Sequence, residues 1–296
     1  MPRTTRRDFL KSGLTAAVLA GTGGAIPART AGRSATDWVS LGKSGVKVTR
    51  LAFGTGTFSG RVQRELGQEG FTRLVRHAYD RGIRFFETAD SYTGMPQMLA
   101  AALHGLPRDS YRLMTKYRLR DLTDPKATID RLRRDLGAEY VDIMLMHCLR
   151  SPGWKEELKR LQDELSEAKA KKVILAHGAS CHGLLPLRTL PGNPWLDVAL
   201  LRTNHTGTKM DTLSTRDSDD LGDVNEVVSH ARTIHANGTG VLGMKLAGEG
   251  SFDAGQREAA LKFVMGLGVV DAVTMGYKST TEIDEAIDRM NRALNA

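Results

Sequence analysis

From Leu51 onward the sequence alternates eight times between a short run rich in β-branched and aromatic residues and a longer amphipathic run. This restricts the chain to repeated βα units around a parallel sheet. The spacing predicts strands at 50–53, 83–86, 111–114, 141–146, 173–176, 198–201, 240–244 and 272–275. It predicts helices at 70–81, 95–103, 126–136, 154–171, 223–236, 254–267 and 281–294, with a short fifth helical run at 184–190 interrupted by Pro186. Eight units over a segment near the ~250 residues of a single barrel favour a closed (β/α)8 TIM barrel over an open doubly wound sheet. Ahead of the first unit, residues 38–49 alternate in period two around Gly42-Lys43-Ser44-Gly45, which reads as a β-hairpin capping the bottom of the barrel.

The first 31 residues read as an address segment. Arg6-Arg7 precede Leu14-Thr15-Ala16-Ala17-Val18-Leu19-Ala20, a weakly apolar run ending in glycines, which resembles a twin-arginine export signal. That run falls short of the ~20 residues a spanning helix needs, so no stable membrane span is expected. The expected organisation is a signal at 1–31 and a barrel at 38–296. The twin-arginine export machinery is the expected partner, and the expected location is periplasmic or otherwise extracytoplasmic. Arg3, Arg6, Arg7, Lys11 and Arg29 against Asp8 place +4 of the formal +8 in this segment. The remaining cations are scattered along helical runs such as Arg131, Arg133 and Arg134, without a basic stripe interleaved with aromatics, so a nucleic-acid partner is not expected. Two cysteines, Cys148 and Cys181, do not make a disulfide framework.

In a barrel of this kind, polar residues at the carboxyl ends of strands point into one mouth. Glu87, Asp90 and Tyr92 follow the second predicted strand, Lys116 the third, His147 and Cys148 the fourth, and Ser180, Cys181 and His182 the fifth. A carboxylate, a lysine, a tyrosine and a histidine on successive strands can deliver a proton to a carbonyl oxygen. An ammonium beside a phenol lowers its pKa, and an imidazole orients the substrate oxygen or relays the proton. His147, Cys148, Cys181 and His182 also have the donor types of a zinc centre. Side chains of consecutive strand residues point to opposite faces, however, which argues against their meeting at one ion.

The stretch Gly82-Ile83-Arg84-Phe85-Phe86-Glu87-Thr88-Ala89-Asp90-Ser91-Tyr92, with Thr115-Lys116 and Val141-Asp142-Ile143-Met144-Leu145-Met146-His147, resembles the aldo-keto reductase family, and the likeness runs to the last helix. The resemblance implies a nicotinamide-dependent oxidoreductase reducing a small carbonyl compound, an aldehyde or ketone that could be sugar-like, with NADPH or NADH as cofactor. It implies Tyr92 as proton donor, Lys116 as its neighbour, His147 as orienting imidazole and Glu87 as the carboxylate paired with Lys116. For the cofactor it implies Gly54 and Thr55 at the first strand end, Ser180 and Asn204 near the nicotinamide, Lys245 on phosphate, and Lys278, Ser279 and Glu285 at the adenosine end.

The chain also departs from the family pattern. Glu87 stands where the family has aspartate, Cys181 and Leu200 where it has amide-holding side chains, Glu282 where an arginine often reads the 2′-phosphate, and Ala286 where an asparagine meets adenine. Asn204 and His205 could substitute for the lost amide contacts or could hydrogen-bond their own loop. These departures leave an alternative open, in which an exported barrel with little or no turnover acts as a binding or scaffold protein.

Overall fold

The computed structural model describes residues 32–120, 122–214 and 219–296. The twin-arginine reading of 1–31 lies outside the described residues. Two short strands, β1 (Trp38–Ser40) and β2 (Lys47–Thr49), pair antiparallel with Trp38 opposite Thr49, forming the expected hairpin. Its turn lies against the start of the seventh barrel strand through a Gly42–Thr239 bridge. Leu41, Val46 and Val48 of the hairpin are buried and plug the bottom of the barrel.

Eight parallel strands then close on themselves: β3 (Leu51–Gly54), β4 (Phe85–Glu87), β5 (Arg112–Arg118), β6 (Val141–Leu149), β7 (Ile174–Cys181), β8 (Val198–Arg202), β9 (Gly240–Met244) and β10 (Ala272–Gly276), with β10 pairing back onto β3. The interior is a packed column of Ala52, Phe85, Met114, Ile143, Leu145, Ala176, Val198, Leu200, Leu242 and Ala272. It is filled with apolar side chains, as barrels of this size are. β7 approaches β8 so closely at Gly178 that a Cβ there would stand 1.8 Å from the Val198 carbonyl oxygen; only glycine fits.

The helices form the outer layer, the longer ones burying an apolar stripe at helical spacing. They are α1 (Arg61–Arg64), α2 (Gly67–Asp80), α3 (Met95–Leu103), α4 (Pro125–Asp135), α5 (Trp154–Glu157), α6 (Lys159–Ala170), α7 (Leu184–Leu187), α8 (Val224–Ala236), α9 (Ala254–Gly266) and α10 (Thr280–Leu294). Their starts follow side-chain chemistry. Asp124 caps α4 by accepting from the Ala127 amide, Asp223 caps α8, Ser279 caps α10, and Asp253 with Gln256 forms a reciprocal capping box on α9. The single helix expected over 154–171 is instead two, α5 and α6, because Leu158 leaves helical geometry at φ −111°, ψ 20°. Among the described residues no helix is long and apolar enough to cross a membrane.

One buried pair away from the mouth carries a pH prediction. The His177 ring on β7 stacks flat on Trp195, with centroids 4.3 Å apart and planes at 6°. Its Nδ1 is 3.5 Å from Asp197, which Lys169 also engages at 2.6 Å. Burial holds His177 below its ordinary 6.5 despite Asp197. The unfolded chain therefore binds this proton at a higher pH than the native one, so stability contributed by neutral His177 is present above pH 6.5 and is lost as pH falls below it. His177→Phe keeps the stack and removes the titration. Thermal melts from pH 7 to pH 5 are expected to show a shallower loss of Tm in this variant than in the parent.

Candidate active site

The carboxyl ends of the strands open into a cleft of about 700 Å³ that runs from Glu87, Tyr92 and Lys116 past the segment after β9 to the start of α10. At the inner end, Glu87 closes β4 and Lys116 lies on the neighbouring β5. Both are almost completely buried. The Lys116 ammonium is ion-paired with Glu87 Oε1 and donates to the Thr88 carbonyl at 3.0 Å and to the Tyr92 hydroxyl at 3.3 Å. The second Glu87 oxygen accepts from Thr274 Oγ1 at 3.1 Å. One methylene more than aspartate thus still reaches the ammonium, and the carboxylate is held from two strands.

Tyr92 reaches this pair because the chain after β4 is tied down by backbone bonds: Thr88 and Asp90 donate to the carbonyls of Met114 and Lys116, and Tyr92 to Ala89. Asp90 turns away to Arg131 on α4, at 2.9 Å, as a support for the turn. The wall opposite the phenol is bare backbone. A Cβ on Gly56 would lie 2.7 Å from the Tyr92 hydroxyl, and one on Gly54 would lie 2.5 Å from Thr274 Oγ1. His147, on β6, meets the Tyr92 ring edge-on at 5.6 Å and contacts Ser91 Oγ through Nδ1 at 3.1 Å.

The electrostatics correct one expectation. Lys116 does not pull the Tyr92 phenol below its ordinary range; burial, with the acidic groups of Cys148 and Glu249, pushes it up. Burial also lowers Lys116, to about 7, so the ammonium is a weaker counterweight than a solvated lysine would be. His147 is held well below 6.5, first by burial and then by the cations of Lys116, His182, Lys245 and Arg150, and is neutral at pH 7. The site therefore presents a protonated phenol and a neutral imidazole, both able to donate to an oxygen that gains charge.

At the outer end, residues 245–250 form a loop with Lys245, Gly248, Glu249 and Gly250 all at positive φ. Lys245 and Glu249 point into the cleft and pair with each other. The last segment adds Lys278, Glu282, Glu285 and Arg289. Lys278 Nζ stands 3.9 Å from Glu282, and Arg289 pairs with Glu285 at 2.9 Å. Arg257 also lines this end, and Tyr277 adds a buried hydroxyl that has no hydrogen-bond partner among the described residues.

Of the residues expected at the site, Gly54, Glu87, Tyr92, Lys116, Lys245, Lys278 and Glu285 line this cleft. His147 adjoins it through Tyr92. Four others are used elsewhere. Thr55 is buried and its hydroxyl donates to the Glu87 carbonyl. Ser180 is buried beneath β6, accepting from the Cys148 amide at 2.9 Å. Asn204 spends its side chain on its own loop, donating to Thr208 and Lys245 carbonyls and accepting from Thr206 and Gly207 amides. Ser279 accepts from the Glu282 amide as the cap of α10. Leu200 lies on the cleft floor. Glu249, Arg257, Tyr277 and Arg289 were not expected; Arg289 is signalled only by standing one helical turn after Glu285.

The four His and Cys side chains do not all meet at one centre, but three of them do come together. His147, Cys148 and His182 converge, with their ligand atoms all within 4.8 Å of one another. β6 is irregular between Met146 and Leu149, and Cys148 sits at φ 60°, so the strand's alternation fails at this pair. Cys181 stays apart, fully buried, with its thiol on the Gly183 carbonyl.

Comparison with known proteins finds similarity over part of the chain. Residues 50–181 match the aldo/keto reductase family. A probable aldo-keto reductase of Glycine max is 29% identical over 164 residues, 47% of each chain. The chain spans between 36% and 59% of the length of the curated relatives it matches. Among solved structures, a putative aldo-keto reductase from Pseudomonas aeruginosa superimposes with TM-score 0.71 at 19% identity, covering 88% of this chain and 97% of that one. An aldo-keto reductase from Klebsiella pneumoniae, in complex with NADPH, gives TM-score 0.62 at 14% identity over 87% and 89%. The segment that supplies Glu87, Tyr92, Lys116 and His147 is the part of the chain that is similar to the aldo/keto reductase family.

Proposed function

We propose that this protein is an NAD(P)H-dependent oxidoreductase that reduces a small aldehyde or ketone, with Tyr92 as the proton donor. The observation that carries the reading is the buried Glu87–Lys116–Tyr92 chain at the inner end of a cleft whose outer end carries Lys245, Lys278, Arg257 and Arg289. The cleft suits a reduced nicotinamide dinucleotide: its inner wall at Gly54 and Gly56 admits no side chain, and its outer end holds Lys245, Lys278 and Arg289, paired with Glu249, Glu282 and Glu285, together with Arg257. When bound, the dinucleotide supplies a hydride to the carbonyl carbon.

The chain's own residues do the rest. Tyr92 keeps its proton in the ground state because burial disfavours phenolate. It gives the proton up only when the substrate oxygen becomes alkoxide-like, a stronger base than phenolate, and Lys116 at 3.3 Å then stabilises the phenolate left behind. Glu87 holds Lys116 in place, and neutral His147 donates a second hydrogen bond to the same oxygen. Lys245 and Lys278 would take phosphate. Residues 1–31, with Arg6-Arg7 ahead of a short apolar run, support export by the twin-arginine route as part of the same proposal.

The test is steady-state oxidation of NADPH and NADH by the full chain against a panel of small aldehydes, ketones and sugars. Carbonyl-dependent loss of the reduced-nicotinamide absorbance is expected. A folded protein that binds dinucleotide but turns over none of the panel favours the scaffold reading.

The Lys245–Glu249 pair gives a further expectation. Glu249 holds the cation that a pyrophosphate would need and puts a like charge beside it. Glu249→Gln is expected to tighten dinucleotide binding by about tenfold, or ~1.4 kcal/mol. Calorimetric titration of both proteins checks this.

A further inference from the structure

We propose that His147, Cys148 and His182 bind a thiophilic divalent cation of the Zn²⁺ class at the mouth of the barrel, as a three-ligand centre with a fourth position left for water or a substrate oxygen. The proposal does not depend on the hydride-transfer reading, because it is read from the metal itself.

The geometry carries it. Zinc bonds of about 2.1 Å to nitrogen and 2.3 Å to sulfur set tetrahedral ligand–ligand separations of about 3.5 Å. Cys148 Sγ is already 3.4 Å from His182 Nε2. The whole set lies within 4.8 Å, so side-chain rotation of about 1 Å closes it. The two imidazole rings stand perpendicular with centroids 6.2 Å apart. The backbone is shaped for this meeting: a non-glycine residue in the left-handed region is uncommon, and Cys148 is held there with its amide on Ser180 Oγ.

The outer contacts suit ligation as well. Metal-bound histidines usually donate their second ring N–H to a neighbour, which fixes which nitrogen meets the ion. With the ion bound, Ser91 Oγ at His147 Nδ1, 3.1 Å, would accept that proton and leave Nε2 with its lone pair, the opposite tautomer to the one that donates to a carbonyl oxygen in the metal-free site. At His182 the guanidinium of Arg202 lies against Nδ1, and ligation through Nε2 requires it to turn toward Asp211, whose carboxylate is 3.7 Å from Arg202 Nε. Cys148 would bind as thiolate and supply the one negative charge of the set. With Lys116 and Lys245 also near His147, the affinity is expected to fall below that of a structural zinc site. Cys181, turned into the core, takes no part.

Two measurements on the metal-stripped full chain test this. Co²⁺ titration is expected to give a saturable thiolate-to-cobalt charge-transfer band at one ion per chain, displaced by Zn²⁺, absent in Cys148→Ser and reduced in His182→Gln. In the unaltered protein, Zn²⁺ is expected to slow alkylation of Cys148 by iodoacetamide at least about tenfold, read by peptide mass spectrometry; this needs no variant to fold. The proposal is overturned by the absence of a saturable band, by a band that survives in Cys148→Ser, or by alkylation of Cys148 at the same rate with and without Zn²⁺.

Discussion

Tyr92→Phe is expected to lower carbonyl reduction by about 10²–10⁴-fold, the range that a positioned general acid contributes, while leaving dinucleotide affinity nearly unchanged. The ring stays where it is: its edge contact with His147 and its cation–π contact with Lys116, 4.7 Å from the ring centroid, do not involve the hydroxyl. What disappears is the O–H that Lys116 addresses from 3.3 Å and that faces the bare backbone of Gly56. Because the phenol is pushed above its ordinary range, it is fully protonated across the neutral and mildly alkaline region, so the parent enzyme should show no loss of rate from Tyr92 ionisation there. Single-turnover rates with a saturating aldehyde separate the proton step from cofactor binding. A rate in Tyr92→Phe equal to that of the parent would remove Tyr92 from the chemistry.

The second large effect is on stability. Lys116→Met should cost about 3–5 kcal/mol, because it leaves the Glu87 carboxylate buried with Thr274 as its remaining side-chain partner. Neutralising the orphan as well, in Lys116→Met with Glu87→Gln, should restore much of that loss, since two apolar or neutral groups of similar volume avoid the uncompensated charge. Denaturant melts of the two single variants and the double variant form a cycle, and a double variant as unstable as the sum of the singles would mean that the two side chains do not act as a pair. Both Lys116 variants should lose carbonyl reduction, since the phenolate left by Tyr92 has no other cation within hydrogen-bond reach among the described contacts.

Much of the barrel was legible because period and punctuation agree with it. The runs at 240–244 and 95–103 coincide with β9 and α3, and the acidic or hydroxyl residues that start α4, α8, α9 and α10 stand where the helices begin. The break at Leu158 was not legible, since the apolar spacing runs straight through it. At the site, Glu87, Tyr92 and Lys116 could be read because they stand at strand ends, which topology gathers into one mouth. Ser180 and Asn204 are at strand ends too, yet their polar atoms are taken up by Cys148 and by the 204–208 loop, a competition that no one-dimensional pattern records. The convergence of His147, Cys148 and His182 depends on one left-handed backbone angle at a residue that sequence would place in an ordinary strand. The direction of the Tyr92 shift is not legible in the sequence for a related reason: a lysine next to a phenol stabilises phenolate only to the extent that it is charged, and burial acts on both groups.

The cleft between Tyr92 and Arg289 is proposed to hold a reduced nicotinamide dinucleotide. This is tested most directly by titrating the full chain with NADPH and with NADH and following both the heat and the quenching of tryptophan fluorescence. Saturable one-to-one binding of at least one of them, weakened in a Lys245→Ala variant, is expected; a folded protein that binds neither would contradict the proposed function.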